Sequence, residues 1–335
     1  MVIQFLFMNK FCCLVFICIG LYNNVILAQE QTSDTNLILS QAREAFQLKQ
    51  YTASEEMLTI AIKKYPNNSG FRIALAQEYR ALNKLDIAST ILQKALDEKV
   101  ENLEIYRLLI DNYYRLGYYK KGMKTVNKAI KTFNNKGLLY EKKGNLLEAL
   151  QKNNRANQAY TIGIEKDSAY LENYLNLARL EAIGEQPEKA CMLAEYYILK
   201  APQSRDIKDA KKILRAAYRN LYLNFKEGKI NPTNNVGLNL FLKSLKQASM
   251  SLEEGIEAIA LCKLRSKMTM FAIEKGNLPY QLEKIWNTLL REGYFEAYHY
   301  WLFTAIEDPN SYAAWLQYHK GAEKELLQKI TDLHF

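Results

Sequence analysis

The chain has 335 residues, of which 49% are apolar and 24% charged, and its formal net charge is +9. This composition excludes a disordered chain and allows either a packed core or an extended array of repeats. The positive charge is spread along the chain without a run of five or six like charges, so it does not indicate a nucleic-acid-binding protein. Only 6 Pro and 14 Gly interrupt segments rich in helix-forming residues, which predicts an all-α fold.

The first 28 residues predict a secretory signal peptide. The apolar segment FCCLVFICIGL, residues 11–21, follows Lys10, and we expect cleavage after Ala28. Met8 is an alternative initiator, because the sequence from Met8 begins in the manner usual for signal peptides. Retention of the segment as a membrane anchor is the competing interpretation, although two Asn residues interrupt the apolar run. The prediction is an exported protein of the periplasm or cell envelope that meets a membrane only through an uncleaved signal or a partner.

After a short N-terminal segment, residues 29–34, small and large residues recur with a period of 34. In the stretch RIALAQEYRALNKLDIASTILQKAL, residues 72–96, Ala76 and Ala88 stand at the eighth and twentieth places of such a row. Other rows hold small residues at the same two places: Ala42, Ser54, Gly122, Gly144, Ala156, Ala178 and Ala190. Small residues let the two helices of one repeat approach closely, and large ones fill the gap to the next repeat.

This spacing resembles that of the tetratricopeptide repeat (TPR) family. The resemblance implies an exported, bacterial-type TPR protein with a TPR-like α-solenoid of antiparallel helix hairpins. About five repeats cover residues 35–204. The rest of the chain divides as follows: a helix over 205–225 that caps the array, a linker over 226–237 rich in Gly, Pro and Asn, and a degenerate C-terminal helical region over 238–335.

Within the C-terminal region, SLEE at residues 251–254 predicts a capping box that starts a helix. Residues 278–311 predict a degenerate TPR, with Ala297, Trp301 and Pro309 at family-like places. A capping helix from Tyr312 to about residue 333 is expected to follow.

No motif in the sequence predicts catalysis, a cofactor or a metal site. Glycines do not form a phosphate-binding loop, and His299, His319 and His334 do not form a zinc-binding pattern. His299 is expected to make a polar contact in the core. Cys191 and Cys262 leave two alternatives, a pair of buried free thiols or one disulfide. The sequence therefore favours a protein without enzymatic activity, with an enzyme site in the C-terminal region as the weakest alternative.

The TPR resemblance implies that the first helix of each repeat lines a concave groove. Arginines with interleaved aromatic residues there could bind a protein or peptide partner, an acidic one included, through carboxylate pairs and ring stacking. The candidate groove residues are Arg43, Phe46, Gln77, Arg80, Arg107, Asp111, Tyr114, Arg115, Asn145 and Arg179. The alternative for each of them is solvation, or pairing with Asp111 or Glu141 inside the groove.

The leading functional hypothesis is thus an exported scaffold for protein–protein interaction in the cell envelope. The alternative is a structural subunit of an envelope assembly or secretion complex, whose groove is filled by its own C-terminal helix. The sequence predicts no nucleic-acid partner and no particular oligomeric state.

Overall fold

The computed structural model describes residues 33–184, 186–229, 236–249, 258–274 and 281–333. Within these ranges every regular element is helical, which confirms the predicted all-α fold. The predicted signal peptide lies outside the described residues. Among the described helices, none is long and apolar enough to cross a membrane.

The chain divides into two compact units, whose described parts are residues 33–133 (unit 1) and 134–333 (unit 2). The helices of unit 1 are α1 (33–47), α2 (Tyr51–Lys64), α3 (Ser69–Ala81), α4 (Leu85–Asp97), α5 (Leu103–Arg115) and α6 (Tyr119–Thr132). Unit 2 begins with α7 (Gly137–Ala149), α8 (Asn153–Lys166), α9 (Glu172–Ala182), α10 (Pro187–Lys200) and α11 (Ile207–Lys226). It continues with α12 (Val236–Ser249), α13 (Ala258–Glu274), α14 (Gln281–Arg291), α15 (Phe295–His299), a π-helical turn (Tyr300–Thr304), α16 (Ala305–Glu307), α17 (Pro309–Tyr318) and α18 (Ala322–Asp332).

The first helices of four repeats, α1, α3, α5 and α7, end in the same backbone turn. Lys49, Asn83, Gly117 and Gln151 lie 34 residues apart, and each has a φ between +57° and +74°. The residue after each of them donates its N–H to the carbonyl five positions earlier, with N···O distances of 2.8 to 2.9 Å. This is the Schellman turn, which satisfies the last carbonyl groups of a helix. The 34-residue period of the sequence is therefore also a period of the backbone.

Small residues lie where the helices of a repeat cross. The helices pack in pairs, α3 on α4, α5 on α6, α7 on α8 and α9 on α10. The residues at the twentieth place of the five rows are all buried: Ser54, Ala88, Gly122, Ala156 and Ala190. A larger side chain at such a crossing would clash, since a Cβ added at Gly144 would lie 2.1 Å from the Tyr160 ring. The structure is thus a TPR-like solenoid of helix hairpins, as predicted.

A buried ion pair lies in the C-terminal part of unit 2. Arg265 of α13 donates from Nη2 to Glu195 Oε1 of α10, and the two side chains are 0% and 1% exposed. The same carboxylate oxygen accepts hydrogen bonds from Trp286 Nε1 at 2.7 Å and from the Tyr298 hydroxyl at 2.8 Å. The guanidinium carbon lies 4.5 Å from the centroid of the Trp286 ring. These contacts join α10, α13, α14 and α15 across 70 to 103 residues of sequence.

Helix α11, predicted as a helix that caps the array, packs on α9 and α10 and also contacts the π-helical turn and α16. Lys211 of α11 is buried and donates to the carbonyl of Trp301 at 2.6 Å. Its ammonium nitrogen also lies 3.6 Å from the centroid of the Trp301 ring. The helix predicted to end the array therefore lies inside the core of unit 2.

Two C-terminal elements differ from the sequence prediction. One helix was expected from Tyr312 to about residue 333, but α17 ends at Tyr318 and α18 begins at Ala322. Gly321 has a φ of +86°, a left-handed conformation that interrupts the helix. The second helix of the degenerate repeat contains the π-helical turn, which is wider than an α-helical turn. The predicted capping box at 251–254, residues 230–235 of the linker and the start of the 278–311 repeat lie outside the described residues.

Candidate functional site

The candidate groove residues lie on the first helices of the repeats, in both units. In unit 1, α1 carries Arg43 and Phe46, α3 carries Gln77 and Arg80, and α5 carries Arg107, Asp111, Tyr114 and Arg115. In unit 2, α7 carries Asn145 and α9 carries Arg179.

Three of these residues line a small pocket between α1 and α3, which we name the α1–α3 pocket. Arg43, Phe46 and Gln77 surround a volume of about 180 Å³ together with Leu39, Ala42, Ala74 and Glu78. The Arg43 side chain is exposed and makes no ion pair with any described residue. The pocket thus combines apolar walls, an unpaired guanidinium and an exposed amide.

Glu78 borders the α1–α3 pocket and is itself held in place. The Ser54 hydroxyl lies 2.7 Å from Glu78 Oε1 and 2.7 Å from the Ala42 carbonyl oxygen, and its single proton is shared between these two acceptors. Partial burial raises the pKa of the Glu78 carboxyl. The position of this carboxylate is therefore set by the crossing of the helices, and Arg43 is the only cation among the residues that line the pocket.

Arg80 connects two repeats. Its Nη1 donates to the Leu108 carbonyl of α5 at 3.0 Å and to the Asn112 side chain. Burial lowers the pKa of the guanidinium, but the group stays charged at neutral pH. Arg80 therefore has a structural use in unit 1 that the sequence pattern did not indicate.

The cations of α5 are also engaged within the chain. Arg107 donates from Nε to Glu104 at 2.6 Å and from Nη1 to Asp111 at 3.1 Å. This is the pairing with Asp111 that the sequence left open as an alternative. Arg115 donates to the Asn83 side chain at 3.2 Å. The Tyr114 ring is 44% exposed and lies 5.8 Å from the Tyr119 ring, so it remains accessible to a ligand.

In unit 2, Asn145 and Arg179 belong to one polar network. The Tyr160 hydroxyl lies 2.6 Å from Asn145 Oδ1 and also within hydrogen-bond distance of Glu148 Oε1, and its single proton is shared between these two acceptors. Arg179 donates to the same Glu148 carboxylate at 2.7 Å. Burial, followed by the hydrogen bond to Glu148, raises the pKa of Tyr160. This network fixes the hairpin of α7 and α8 against α9.

A second concave surface in unit 1 was not found from the sequence. Four exposed lysines of α6, Lys121, Lys124, Lys128 and Lys131, edge a hollow of about 680 Å³ between α4 and α6. We name the surface formed by these four lysines and the hollow the lysine face. The lysines do not form a run of like charge in the sequence, because they are three and four residues apart and come together only on one side of a helix. That spacing in YKKGMKTVNKAIKT was the available signal.

The described histidines contact backbone carbonyls and aromatic rings, and the described cysteines are not joined in a disulfide. His299 is buried, its Nδ1 lies 2.7 Å from the Phe295 carbonyl, and burial lowers its pKa well below the usual value. His319 stacks on Trp315 with ring centroids 4.4 Å apart. Cys191 and Cys262 are free thiols. In the described part of the chain, no group of three or more His, Cys, Asp or Glu side chains is placed to hold a metal ion. His334 lies outside that part.

Repeated hairpins with a 34-residue backbone period define this chain as a TPR-like protein. No protein-family model and no curated protein matches the sequence. Similar solved structures include TTC0263, a TPR protein of Thermus thermophilus, with 17% identity over 53% of this chain and 97% of that one and a TM-score of 0.42. YrrB, described as a TPR protein with an unusual peptide-binding site, has 17% identity over 52% of this chain and 90% of its own, with a TM-score of 0.41. A TPR protein from Parabacteroides merdae has 17% identity over 76% of this chain and 96% of its own, with a TM-score of 0.44.

Proposed function

We propose that this protein is an exported TPR-like scaffold of the cell envelope that binds an extended segment of a partner protein and has no catalytic activity of its own. The observation that carries the proposal is the α1–α3 pocket. It combines three of the predicted groove residues with apolar walls on the face where the first helices of the repeats lie. Scaffolds of stacked hairpins bind peptides through such pockets, in which apolar contacts supply affinity and a few polar groups orient the ligand.

The residues of the pocket indicate the kind of segment it would bind. An apolar side chain of the ligand would pack on Leu39, Ala42 and Phe46, which line the pocket. A neighbouring carboxylate would pair with the free guanidinium of Arg43, in the two-pronged geometry that arginine allows. The amide of Gln77 can donate to and accept from a peptide backbone. The expected ligand is therefore an extended segment with an acidic residue next to an apolar one.

The pocket can be tested with peptides selected by display against the chain from Gln29 onward. We expect selected peptides to combine an acidic and an apolar residue, and Arg43→Glu to weaken their binding at least tenfold in fluorescence anisotropy. Arg155→Glu is the matched control, because it makes the same charge change on an exposed arginine of α8 that is neither in the pocket nor among the candidate groove residues. We expect it to change the affinity less than twofold. Equal losses in both variants, or selection of no peptide, would contradict the pocket as the binding site.

Export is supported by the basic residue, apolar segment and Ala28 of the N-terminal sequence. N-terminal sequencing of protein recovered from the cell envelope tests it, and we expect a chain that begins at Gln29. A chain that retains Met1 or Met8 would contradict cleavage and favour a retained anchor.

The absence of catalysis is supported by the surroundings of His299, whose Nδ1 is bound to a backbone carbonyl and whose ring is enclosed by aromatic side chains. A hydrolase activity of the mature protein that is lost in His299→Gln or His319→Gln, with folding unchanged, would overturn this part of the proposal.

A structural subunit is the second candidate. It is favoured by the contacts of α12, α14 and α18 with α10, because these contacts pack the C-terminal helices within unit 2. This candidate predicts a compact monomer whose mass in light scattering and whose partners are insensitive to Arg43→Glu.

A further inference from the structure

We propose that the lysine face of α6 is a second docking surface, which binds an acidic α-helix of a partner protein. Lys121, Lys124, Lys128 and Lys131 are spaced by three, four and three residues, so their side chains share one side of the helix. They extend over about 15 Å, since a helix rises 1.5 Å per residue. This surface is separate from the α1–α3 pocket, and its occupancy does not depend on the function proposed for that pocket.

The charge of this surface is only partly neutralised within the chain. Lys128 lies 3.5 Å from Glu101, and Lys121 lies 4.9 Å from the centroid of the Tyr118 ring. Lys124 and Lys131 have no acidic partner among the described residues. Like charges three and four residues apart destabilise a helix. The arrangement therefore lowers the stability of α6 in the free protein, and an anionic ligand would relieve the repulsion.

The hollow beside the lysines gives the surface a defined shape. Leu96 of α4, Tyr106 and Tyr113 of α5 and Thr125 of α6 line it. The Tyr106 and Tyr113 side chains are 0% and 8% exposed. They form a floor beneath the lysines and do not project from the surface. A ligand would therefore place an apolar side chain in the hollow while its charged groups meet the lysines at the rim.

These features favour an acidic helix over the other anionic macromolecules. Single-stranded nucleic acids stack successive bases on a series of exposed rings, whereas the two tyrosine rings of the hollow are buried and Tyr118 beside Lys121 offers one exposed ring at the edge. A flat membrane surface contacts protruding side chains and cannot fill a hollow. A helix with glutamates three and four residues apart repeats its carboxylates at the spacing of the lysines. It can also point one apolar side chain from the same face into the hollow.

The test uses a labelled helical peptide of about 20 residues, with Glu at successive i, i+3 and i+4 positions of one face and Ala and Leu elsewhere. Binding to the chain from Gln29 onward is measured by fluorescence anisotropy. We expect binding that weakens at least tenfold when NaCl is raised from 50 to 500 mM, because exposed charge pairs are screened by salt. The same peptide with Gln in place of Glu should not bind.

The decisive variant is Lys124→Glu with Lys131→Glu, which reverses the two unpaired lysines. Its matched control is Lys63→Glu with Lys208→Glu, which makes the same change of net charge at exposed lysines outside this surface. We expect at least a tenfold loss of affinity in the first and less than a twofold loss in the second. The helix content measured by circular dichroism should be unchanged in both variants, because all four substituted lysines are exposed and the first variant also removes repulsion within α6. Equal losses in both variants would show attraction to net charge only and would overturn the proposal.

Two further probes address the other anionic partners. Vesicles that contain phosphatidylserine and a thymidine oligonucleotide are measured with the same variants. If either binds more tightly than the peptide and is lost only with Lys124→Glu and Lys131→Glu, the acidic helix is the wrong occupant. Arg43→Glu should leave binding of the acidic helix unchanged, so failure of the α1–α3 pocket and failure of the lysine face are distinguishable.

Discussion

Buried arginines are paired differently in the repeat hairpins of unit 1 and in the C-terminal core of unit 2. The C-terminal core is formed by α10, α11, α13 to α15 and the π-helical turn. In unit 1 the Arg72 side chain is 5% exposed, but its partner Glu98 is 40% exposed and remains solvated. In unit 2 both Arg265 and Glu195 are buried. Removing two charges from water costs several kcal/mol, which only close pairing repays. We therefore expect the loss of Arg72, which leaves Glu98 solvated, to cost less stability than the loss of Arg265, which leaves Glu195 buried.

The largest expected effect comes from Arg265→Met, which leaves Glu195 buried without its counter-charge. We expect the free energy of unfolding of unit 2 to fall by about 3–5 kcal/mol. Urea unfolding followed by tryptophan fluorescence measures this directly, because all three Trp residues of the chain lie in unit 2.

The control for this prediction is Arg265→Met combined with Glu195→Gln. We expect the double variant to recover part of the lost stability, because the unpaired charge is then absent. A single variant as stable as the wild type would show that the buried ion pair does not hold the C-terminal core together.

The second prediction concerns pH. Burial lowers the pKa of Lys211 to about 7, whereas an unfolded lysine has a pKa near 10.4. Between these values the unfolded chain binds a proton that the folded chain has lost, so the free energy of unfolding rises with pH. We expect a gain of about 2 kcal/mol between pH 7 and pH 9 from this group. Lys211→Met should remove the gain in urea unfolding at pH 7, 8 and 9. An unchanged pH dependence in the variant would contradict the role of Lys211.

The third prediction separates two arginines of unit 1 that the sequence treated alike. Arg80→Met removes hydrogen bonds between α3 and α5 and should lower stability by about 1.5–3 kcal/mol. Arg107→Met removes ion pairs within α5 and should lower it by no more than about 1 kcal/mol. Hydrogen exchange of α3 and α5, measured by mass spectrometry, reports on unit 1. Equal protection in the two variants would mean that Arg80 does not join the repeats.

The smallest effects are expected at the repeated turn. Gly117→Ala should lower stability by about 1 kcal/mol, because an L-residue is strained at a φ of +74°. The cost is purely conformational, since no atom lies within 4 Å of the added Cβ. Lys49→Gly changes the equivalent turn in the opposite sense and should raise stability by up to about 1 kcal/mol. Thermal melts followed by circular dichroism measure both, and a neutral Gly117→Ala would contradict the shared turn geometry.

The sequence predicted the hairpins well because their packing is local. In the first repeat the Ser54 hydroxyl at the twentieth place lies 2.7 Å from the Ala42 carbonyl at the eighth place, and both residues belong to one row of 34 residues. The period can therefore be counted without knowledge of the fold. The resemblance to TPR proteins, applied to this period, indicated Arg43, Phe46 and Gln77, which the structure brings into one pocket.

The sequence could not predict how each arginine is used. Arg80, Arg107 and Arg115 occupy places similar to that of Arg43, yet all three bond to other residues of unit 1. Whether each arginine is engaged within the chain depends on its distance from Asn112, Asp111 or Asn83, which the sequence does not give. The lysine face was missed for a related reason, since its charges are scattered in sequence and adjacent on the surface of α6.

By itself, the sequence determined the helical composition, the 34-residue period and the crossing points of the hairpins, because each depends on residues within one repeat. The tertiary structure alone decided the boundary between the units at Phe133 and Asn134, the interruption at Gly321 and the buried pair of Arg265 with Glu195. The buried pair joins residues 70 positions apart. No periodic signal spans such a separation, and a charge buried this deeply is stable only when the fold brings its partner to it.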